Sequence, residues 1–357
     1  MKVVIAPDSF KGTATAAEAA TALAAGWRSV RPGDHLVLLP MADGGEGTLA
    51  AVAGGTASVH RVPGCTGPDG RPVTGLFALL PDGTAVVELA TAGGLPLMSA
   101  PAPLTATTRG TGQTVAAALD HGATRVLLGL GGSASTDGGA GLLAALGLRL
   151  YDSGGRQLPD GGGPLASLAA VDRSTLRRPP PGGVRLLTDV TNPLLGPRGA
   201  AAVYGPQKGA TSADIALLDH GLARLAALLG GDPTHPGAGA AGGTAYGLHA
   251  AWSATITPGA AAVADLLGLS RAVADADLVI TGEGRYDATS HQGKAVGEVL
   301  HRAAGTRTAV VAGASDRPVL TLTALAGSAR AALADPLHWL ERAGAKLAAG
   351  EPTPSGG

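Results

Sequence analysis

Five of the eleven residues in GLGGSASTDGG (129–139) are glycine, and Ser133 and Asp137 bring side-chain oxygens into the run. It follows the strand-like RVLL and precedes the helix-like AGLLAALG. Two chemistries suit it. Successive glycine N–H groups, Gly131 and Gly132 among them, make an anion nest that a following helix N-terminus reinforces, with Ser133 as a further donor. Read instead as a dinucleotide fingerprint, Gly129-x-Gly131-x-x-Ala134 would take Asp152 as its ribose-binding acid. The loop continues through Gly139 and leaves little helix before Gly147, which favours the anion nest. It is not a Walker loop, because GxxxxGK[ST] occurs nowhere. The plain alternative is a tight turn that needs positive φ.

Other residue types point the same way. Only five of the 26 basic residues are lysines, and three of those touch glycine: Lys11, Lys208 and Lys294. An ammonium beside backbone that can approach closely suits a phosphate oxygen. APDSFKGT (6–13) puts Asp8, Ser9 and Lys11 after a strand-like run, and DGGEG (43–47) places Asp43 and Glu46 around two glycines. Two such acids can share a metal ion or stand in water. Asp189 ends a strand-like run as a candidate general base or metal ligand, with Asn192 to orient it or bind a hydroxyl. ITGEGRYDATSHQGK (280–294) gathers Glu283, Arg285, Asp287 and Lys294 after an apolar strand. Arg109 precedes a helix in TTRGTGQ and could fork onto a carboxylate. Acids, cations and phosphate-type loops together suit phosphoryl transfer. That chemistry needs a metal on the polyphosphate, cations on the moving group and an acid near the acceptor hydroxyl.

The elements that must position these residues alternate strand and helix, as in an α/β protein. VVIA, HLVLLPM, RVLLGLGG, GLRLYD, VRLLTDV, DADLVITGEG and TRTAVVAGA read as strands. Thr15-Ala-Ala-Glu18 has capping-box spacing for a helix to about Trp27; further helices are expected at 112–122, 212–229 and 337–349. Residues 57–91 read as an antiparallel patch broken by GPDG and PDG turns. Residues 153–183 read as surface loop, and 230–243 as structureless by composition. A loop carrying glycine and an acid follows five of the strands, and in open parallel sheets ligands bind beyond the carboxyl ends of strands.

Composition narrows the classes. A chain of 357 residues, 3% aromatic and with a formal charge of −1, has neither the basic excess nor the aromatic platform expected of a nucleic-acid binder. No apolar run is long enough to span a bilayer, and MKVVIAPDSF does not read as a leader, so a soluble cytoplasmic enzyme is expected. The single cysteine, Cys65, sits in a turn-like stretch, and the nine histidines form no HxxxH or HxH cluster. There is no G-x-S-x-G elbow for a hydrolase triad.

In order, APDSFKGT, PMADGGEGT, TRGTGQ, GLGGSASTDGGAG, DVTNPLLGPRGAA, VYGPQKGA, PGAGAAGG and LVITGEGRYD resemble the motifs of the bacterial glycerate kinase family of the first type, from Met1 to about Gly313. The resemblance implies ATP-dependent phosphorylation of D-glycerate with Mg²⁺, with 2-phosphoglycerate favoured over 3-phosphoglycerate. It implies two α/β domains with the active site in the cleft between them. One would carry a flavodoxin-like parallel sheet built from both chain ends (1–65 plus 265–350), the other would be an inserted mixed α/β domain (66–264), and 351–357 would be a disordered tail. The motif positions carried over are Asp8, Ser9, Lys11, Asp43, Glu46, Arg109, Gly131, Gly132, Ser133, Asp137, Asp189, Asn192, Lys208, Glu283, Arg285, Asp287 and Lys294. On this reading Asp189 or Asp287 takes the hydroxyl proton and both are candidates for Mg²⁺. Lys11 and Lys294 steady phosphates, and Arg109 holds the glycerate carboxylate. A homodimer is the candidate assembly.

Three departures stand out: Thr188 where the family often has cysteine, Tyr286 for leucine with Thr289 where glutamine is common, and a shorter, less typical stretch after Gly313. The alternatives are a kinase of another small hydroxy acid, an NAD(P)-dependent oxidoreductase using 129–134, and a non-catalytic metabolite sensor.

Overall fold

The computed structural model describes residues 1–350 apart from Lys11, Gly55, Thr56, Gln292 and Gly293. The candidate Lys11 and the 351–357 tail therefore lie outside the described residues. Contacts divide the chain into two units: Met1–Asp43, Ala50–Val52 and Pro258 onward form the first, and Gly44–Leu49 with Ala53–Thr257 form the second. The family resemblance suggested boundaries at 65/66 and 264/265. The Ser58–Thr66 strand pairs with Pro72–Leu79, which keeps it with the second unit.

The first unit is a five-stranded, all-parallel sheet. Across the sheet run Leu320–Thr321, Thr308–Ser315, Leu278–Tyr286, Lys2–Ile5 and His35–Leu38. Numbered along the chain this is the 2-1-3-4-5 order of the flavodoxin type, built from both chain ends. Val3, Val4 and Ile5 are fully buried in the centre of the sheet, as their continuous apolar run requires of a strand covered on both faces. The Ala16–Val30 helix starts at the predicted capping box: Glu18 N donates to Thr15 Oγ1 (3.2 Å) and Thr15 N to Glu18 Oε2 (2.9 Å). Leu23 and Trp27 of this helix share a core with Ile5, Ile280 and Leu340. The closing helix, Pro336–Ala348, lies against it so tightly that a Cβ on Gly26 would strike the carbonyl of Glu341.

The second unit is a six-stranded mixed sheet. Thr255–Thr257, Val184–Leu187, Arg125–Gly129 and Thr84–Glu88 are parallel neighbours, and Pro72–Leu79 and Ser58–Thr66 add the expected antiparallel edge. The Arg109–Asp120 and Ser212–Leu229 helices form as read from the sequence. Three stretches differ from that reading. Arg149–Tyr151 is a strand, but it pairs with Ala170–Asp172 in a separate two-stranded ribbon rather than joining the main sheet. Residues 153–183 are not all surface, because Leu165 and Leu168 of the 163–168 turn are buried. Residues 237–243 are mostly buried and open a helix, Ala240–Trp252, whose first residues, Ala241–Gly243, are left-handed. The glycines there let backbone pack directly on backbone, and Gly138 N donates to Gly242 O (3.0 Å). No helix among the described residues is long and apolar enough to cross a membrane.

Candidate active site

The predicted residues collect in two pockets, one in each unit. In the first unit, the Lys2–Ile5 strand and the Leu278–Tyr286 strand are the neighbours at which the strand order reverses, the switch point where doubly wound sheets bind ligands. A pocket of about 410 Å³ opens there, and Asp8, Ser9, Asp43, Glu283, Arg285, Asp287 and Lys294 all line it. Asp8 follows the first strand and its N–H still reaches Gly282 O (2.8 Å). The sequence reading placed Glu283, Arg285 and Asp287 in a loop after the other strand. That strand continues to Tyr286, so Glu283 and Arg285 stand two residues apart on strand backbone. Gly282 permits this, since a Cβ there would meet the carbonyl of Val311 on the neighbouring strand.

Asp287 and Lys294 are joined through one hydroxyl. Thr289 Oγ1 donates to Asp287 Oδ1 (2.7 Å) and accepts from Lys294 Nζ (3.1 Å). Thr289 N also donates to Asp287 Oδ1 (2.8 Å), and Arg285 Nε lies 3.6 Å from Oδ2. The Thr289 bonds, then the charges of Lys294 and Arg285, hold the Asp287 carboxyl below the usual range, so it is ionised at neutral pH. Threonine at this departure from the family pattern thus organises the acid and the lysine. Tyr286, the neighbouring departure, is buried with Val296 and Ala312.

In the second unit a pocket of about 540 Å³ is lined by Glu46, Gly131, Gly132, Ser133 and Lys208, together with Thr188, Tyr204 and Gln207. The two acids of DGGEG therefore line different pockets. Gly131 packs on Gly45 so closely that any side chain would collide with its Cα. Lys208 is 2% exposed, and its Nζ donates to Ser133 Oγ (3.1 Å) and Ser135 O (2.5 Å). Burial pushes its pKa down to about 8, partly opposed by the Asp137 charge. Glu46 is positioned by a residue the sequence reading did not single out. Buried Glu88 accepts from Gly47 N (2.9 Å) and Leu49 N (3.2 Å), which fixes the 44–49 turn. Burial, more than any other influence, raises the Glu88 carboxyl.

Four predicted residues stand otherwise. Asp137 is fully buried and accepts from Thr108 N (2.9 Å), Thr108 Oγ1 (2.8 Å), Gly139 N (3.1 Å) and Gly141 N (3.2 Å). Its carboxylate thus occupies the helix start that the anion-nest reading offered to a ligand; desolvation raises its pKa despite these donors. Arg109 is forked onto Asp160, with Nη2–Oδ1 at 2.6 Å. Asn192 Nδ2 donates to Arg198 O (2.8 Å), and its Oδ1 accepts from Tyr204 OH (2.7 Å). Asp189 lies between Thr188 and Val190, both wall residues of the second pocket. The dinucleotide reading loses its acid: Asp152 caps a turn by accepting from Gly154 N (2.8 Å) and Arg156 N (2.9 Å), outside the main sheet. Among the described residues no group of three or more His, Cys, Asp or Glu is placed to hold a metal by itself.

The profile of the glycerate kinase family matches residues 3–348. The chain belongs to the glycerate kinase family. It is 46% identical to the glycerate kinase of Bacillus subtilis over 82% of this chain and 79% of that one. It is 44% identical to the glycerate 2-kinase of Escherichia coli over 82% and 80%. A crystal structure described as a glycerate kinase 2 from Salmonella typhimurium LT2 superposes with a TM-score of 0.84 at 38% identity, covering 98% of this chain and 99% of that one. The flavodoxin-type sheet, the inserted mixed sheet and the kinase class read from the sequence agree with these relatives.

Proposed function

We propose that this glycerate kinase family member transfers the γ-phosphoryl group of ATP to the 2-hydroxyl of D-glycerate. The observation that carries the reading is the first unit's pocket, where Asp8, Asp43, Glu283 and Asp287 face the same space as Arg285 and Lys294. Phosphoryl transfer is mostly positioning and charge neutralisation, and this wall supplies both signs. Lys294 and Arg285 steady phosphate oxygens. Mg²⁺ takes one or two carboxylates and leaves its other positions to phosphate and water. Asp8 is a suitable hard donor, and Asp287 would be another were the proton taken by Asp189; the ion would neutralise the polyphosphate. Asp189 remains the other candidate for metal or base.

In the reaction the acceptor oxygen bonds to the γ-phosphorus, the bond from that phosphorus to the bridging oxygen breaks and ADP leaves. The hydroxyl proton passes to a carboxylate. Asp287 is our first assignment, since its ionised form is held by Thr289. A loose transition state transfers that proton late, which a weakly basic carboxylate can serve. Lys208, with Ser133, we assign to an anionic oxygen of a substrate in the second unit's pocket. Arg109 is less suited, because its fork is already paired with Asp160.

The test is ADP release from Mg·ATP with D-glycerate, L-glycerate, glycerol or no acceptor, with the product identified by phosphorus NMR. Turnover with D-glycerate and a 2-phosphoglycerate signal is expected. A 3-phosphoglycerate signal would overturn the choice of hydroxyl, and absence of turnover with D-glycerate would overturn the substrate.

A further inference from the structure

The first unit's pocket has a second face that phosphoryl chemistry does not use. Leu322, Ala329, Ala332, Leu333 and Pro336 line it opposite in character to the acids and cations. They come from the ends and faces of three short helices, Leu322–Ala326, Ala329–Ala334 and the start of Pro336–Ala348. Ala329, Ala332 and Leu333 are spaced i, i+3, i+4, which puts them on one helical face.

Four polar side chains of this segment are spent on backbone. Thr321 Oγ1, Ser328 Oγ and Asp335 Oδ1 each accept from an N–H in the first turn of the helix they cap, and Thr323 Oγ1 donates to Gly313 O (2.8 Å). Apart from Thr323, the residues this segment gives to the pocket are apolar. Leu333 is 65% exposed, more than any other large apolar residue found exposed among the described residues. A leucine so open at the mouth of a charged pocket keeps apolar surface in water until something covers it.

We propose that this apolar shelf is the seat of the nucleoside base of ATP. This rests on the reading of the chain as an ATP-dependent kinase. The alternatives in the same reaction do not fit the shelf. A triphosphate has no apolar surface, and glycerate is a three-carbon hydroxy acid whose every carbon carries oxygen. A purine offers a flat apolar face joined by a ribose to the phosphates, which matches a pocket apolar at one side and charged at the other. The order of the parts also agrees: the charged wall is built at the strand ends of the switch point, where nucleotide phosphates sit in doubly wound sheets, and the shelf follows the next strands along the sheet.

The experiment compares two probes on the intact protein by calorimetry, Mg·ATP and Mg·tripolyphosphate, for the wild type, Leu333→Asp and Leu333→Met. The exposure of Leu333 lets both variants fold, which an unchanged thermal midpoint checks. Leu333→Asp is expected to weaken ATP about tenfold and to leave tripolyphosphate within twofold of the wild type, while Leu333→Met keeps ATP affinity. Equal weakening of both probes would overturn the seat, as would unchanged ATP affinity or a rise confined to the KM for D-glycerate. A wild type that turns over ATP while Leu333→Asp binds it normally removes the shelf proposal alone. A wild type that binds tripolyphosphate but gains nothing from the base also removes the shelf. A wild type that neither binds nor turns over ATP removes the kinase reading and the shelf with it.

Discussion

Two stretches look alike on paper and behave oppositely in the molecule. GGSASTDGG follows a strand and sets an acid among glycines; ITGEGRYD also joins strand, glycines and an acid, with its last acid just past the strand end. In the first, Asp137 turns inward, receives four hydrogen bonds and ties the start of the Arg109–Asp120 helix to that of the Ala140–Ala145 helix. In the second, Asp287 lies at the pocket wall, with Thr289, Arg285 and Lys294 around it. The difference is where each acid finds its donors. Asp137 has backbone N–H groups from two helix starts within reach, which stabilise a carboxylate without solvent. Asp287 has side chains with charge to share, and keeps access to a ligand. Glycine and an acid after a strand thus signal a constrained loop, and its burial decides whether the acid braces or reacts.

Substitutions can break this contrast. Asp137→Ala leaves several buried donors without an acceptor, so a loss of about 3–5 kcal/mol in a urea titration is expected. A variant as stable as the wild type but inactive would make Asp137 a reacting group after all. Asp287→Ala should do the reverse, with an unchanged urea midpoint and kcat lowered by about 10²-fold or more. Near-normal turnover would return the base to Asp189. Lys208→Met preserves the length of the buried side chain and removes its charge; the KM for D-glycerate should rise about 10- to 30-fold with a smaller effect on kcat.

The same lysine predicts a pH dependence of two opposite signs. Its folded pKa is about 8, below the unfolded value of 10.5. Deprotonation above 8 removes the charge offered to a substrate anion, so the KM for D-glycerate should climb toward tenfold per pH unit. Between these two pKa values the unfolded chain holds more protons, so the contribution of Lys208 to stability rises over that window. An alkaline loss of acceptor binding with no matching loss of stability is the expected pattern, and Lys208→Met should flatten it. Thr289→Val, the mildest change, should lower kcat a fewfold by loosening Asp287 and Lys294; an unchanged kcat would show that the bridging hydroxyl is incidental.

Much of the fold was legible because short β-branched apolar runs such as VVIA, ended by proline and acid, read as buried strands, and Thr15 with Glu18 can be read as a cap by spacing alone. The strand order followed from the family resemblance rather than from periodicity. The local ribbon of Arg149–Tyr151 escaped, because a strand's partner is not written in its own residues. The helix at Ala240 escaped as well, since its left-handed entry through Gly242 and Gly243 looks like loop composition. Within the site, charged wall residues were readable as types out of place in a core. Glu88 was not, because it stands alone between Val87 and Leu89 with no polar neighbour to mark it. The shelf at Leu322–Pro336 was hidden for the opposite reason: alanine and leucine at helical spacing look like ordinary packing.

The first sheet also sets an order of events during synthesis. Its first strand, Lys2–Ile5, needs Leu278–Tyr286 on one side, so residues made early wait for a strand made much later. At about 5–20 residues per second that interval is roughly 15–60 s. By then Thr257 has emerged and every strand of the mixed sheet is present. The inserted unit can therefore finish folding while the other is still half a sheet, its VVIA strand and the apolar face of Ala16–Val30 uncovered. For that interval the nascent chain presents a ready surface to chaperones, and a translational pause before residue 278 would lengthen it.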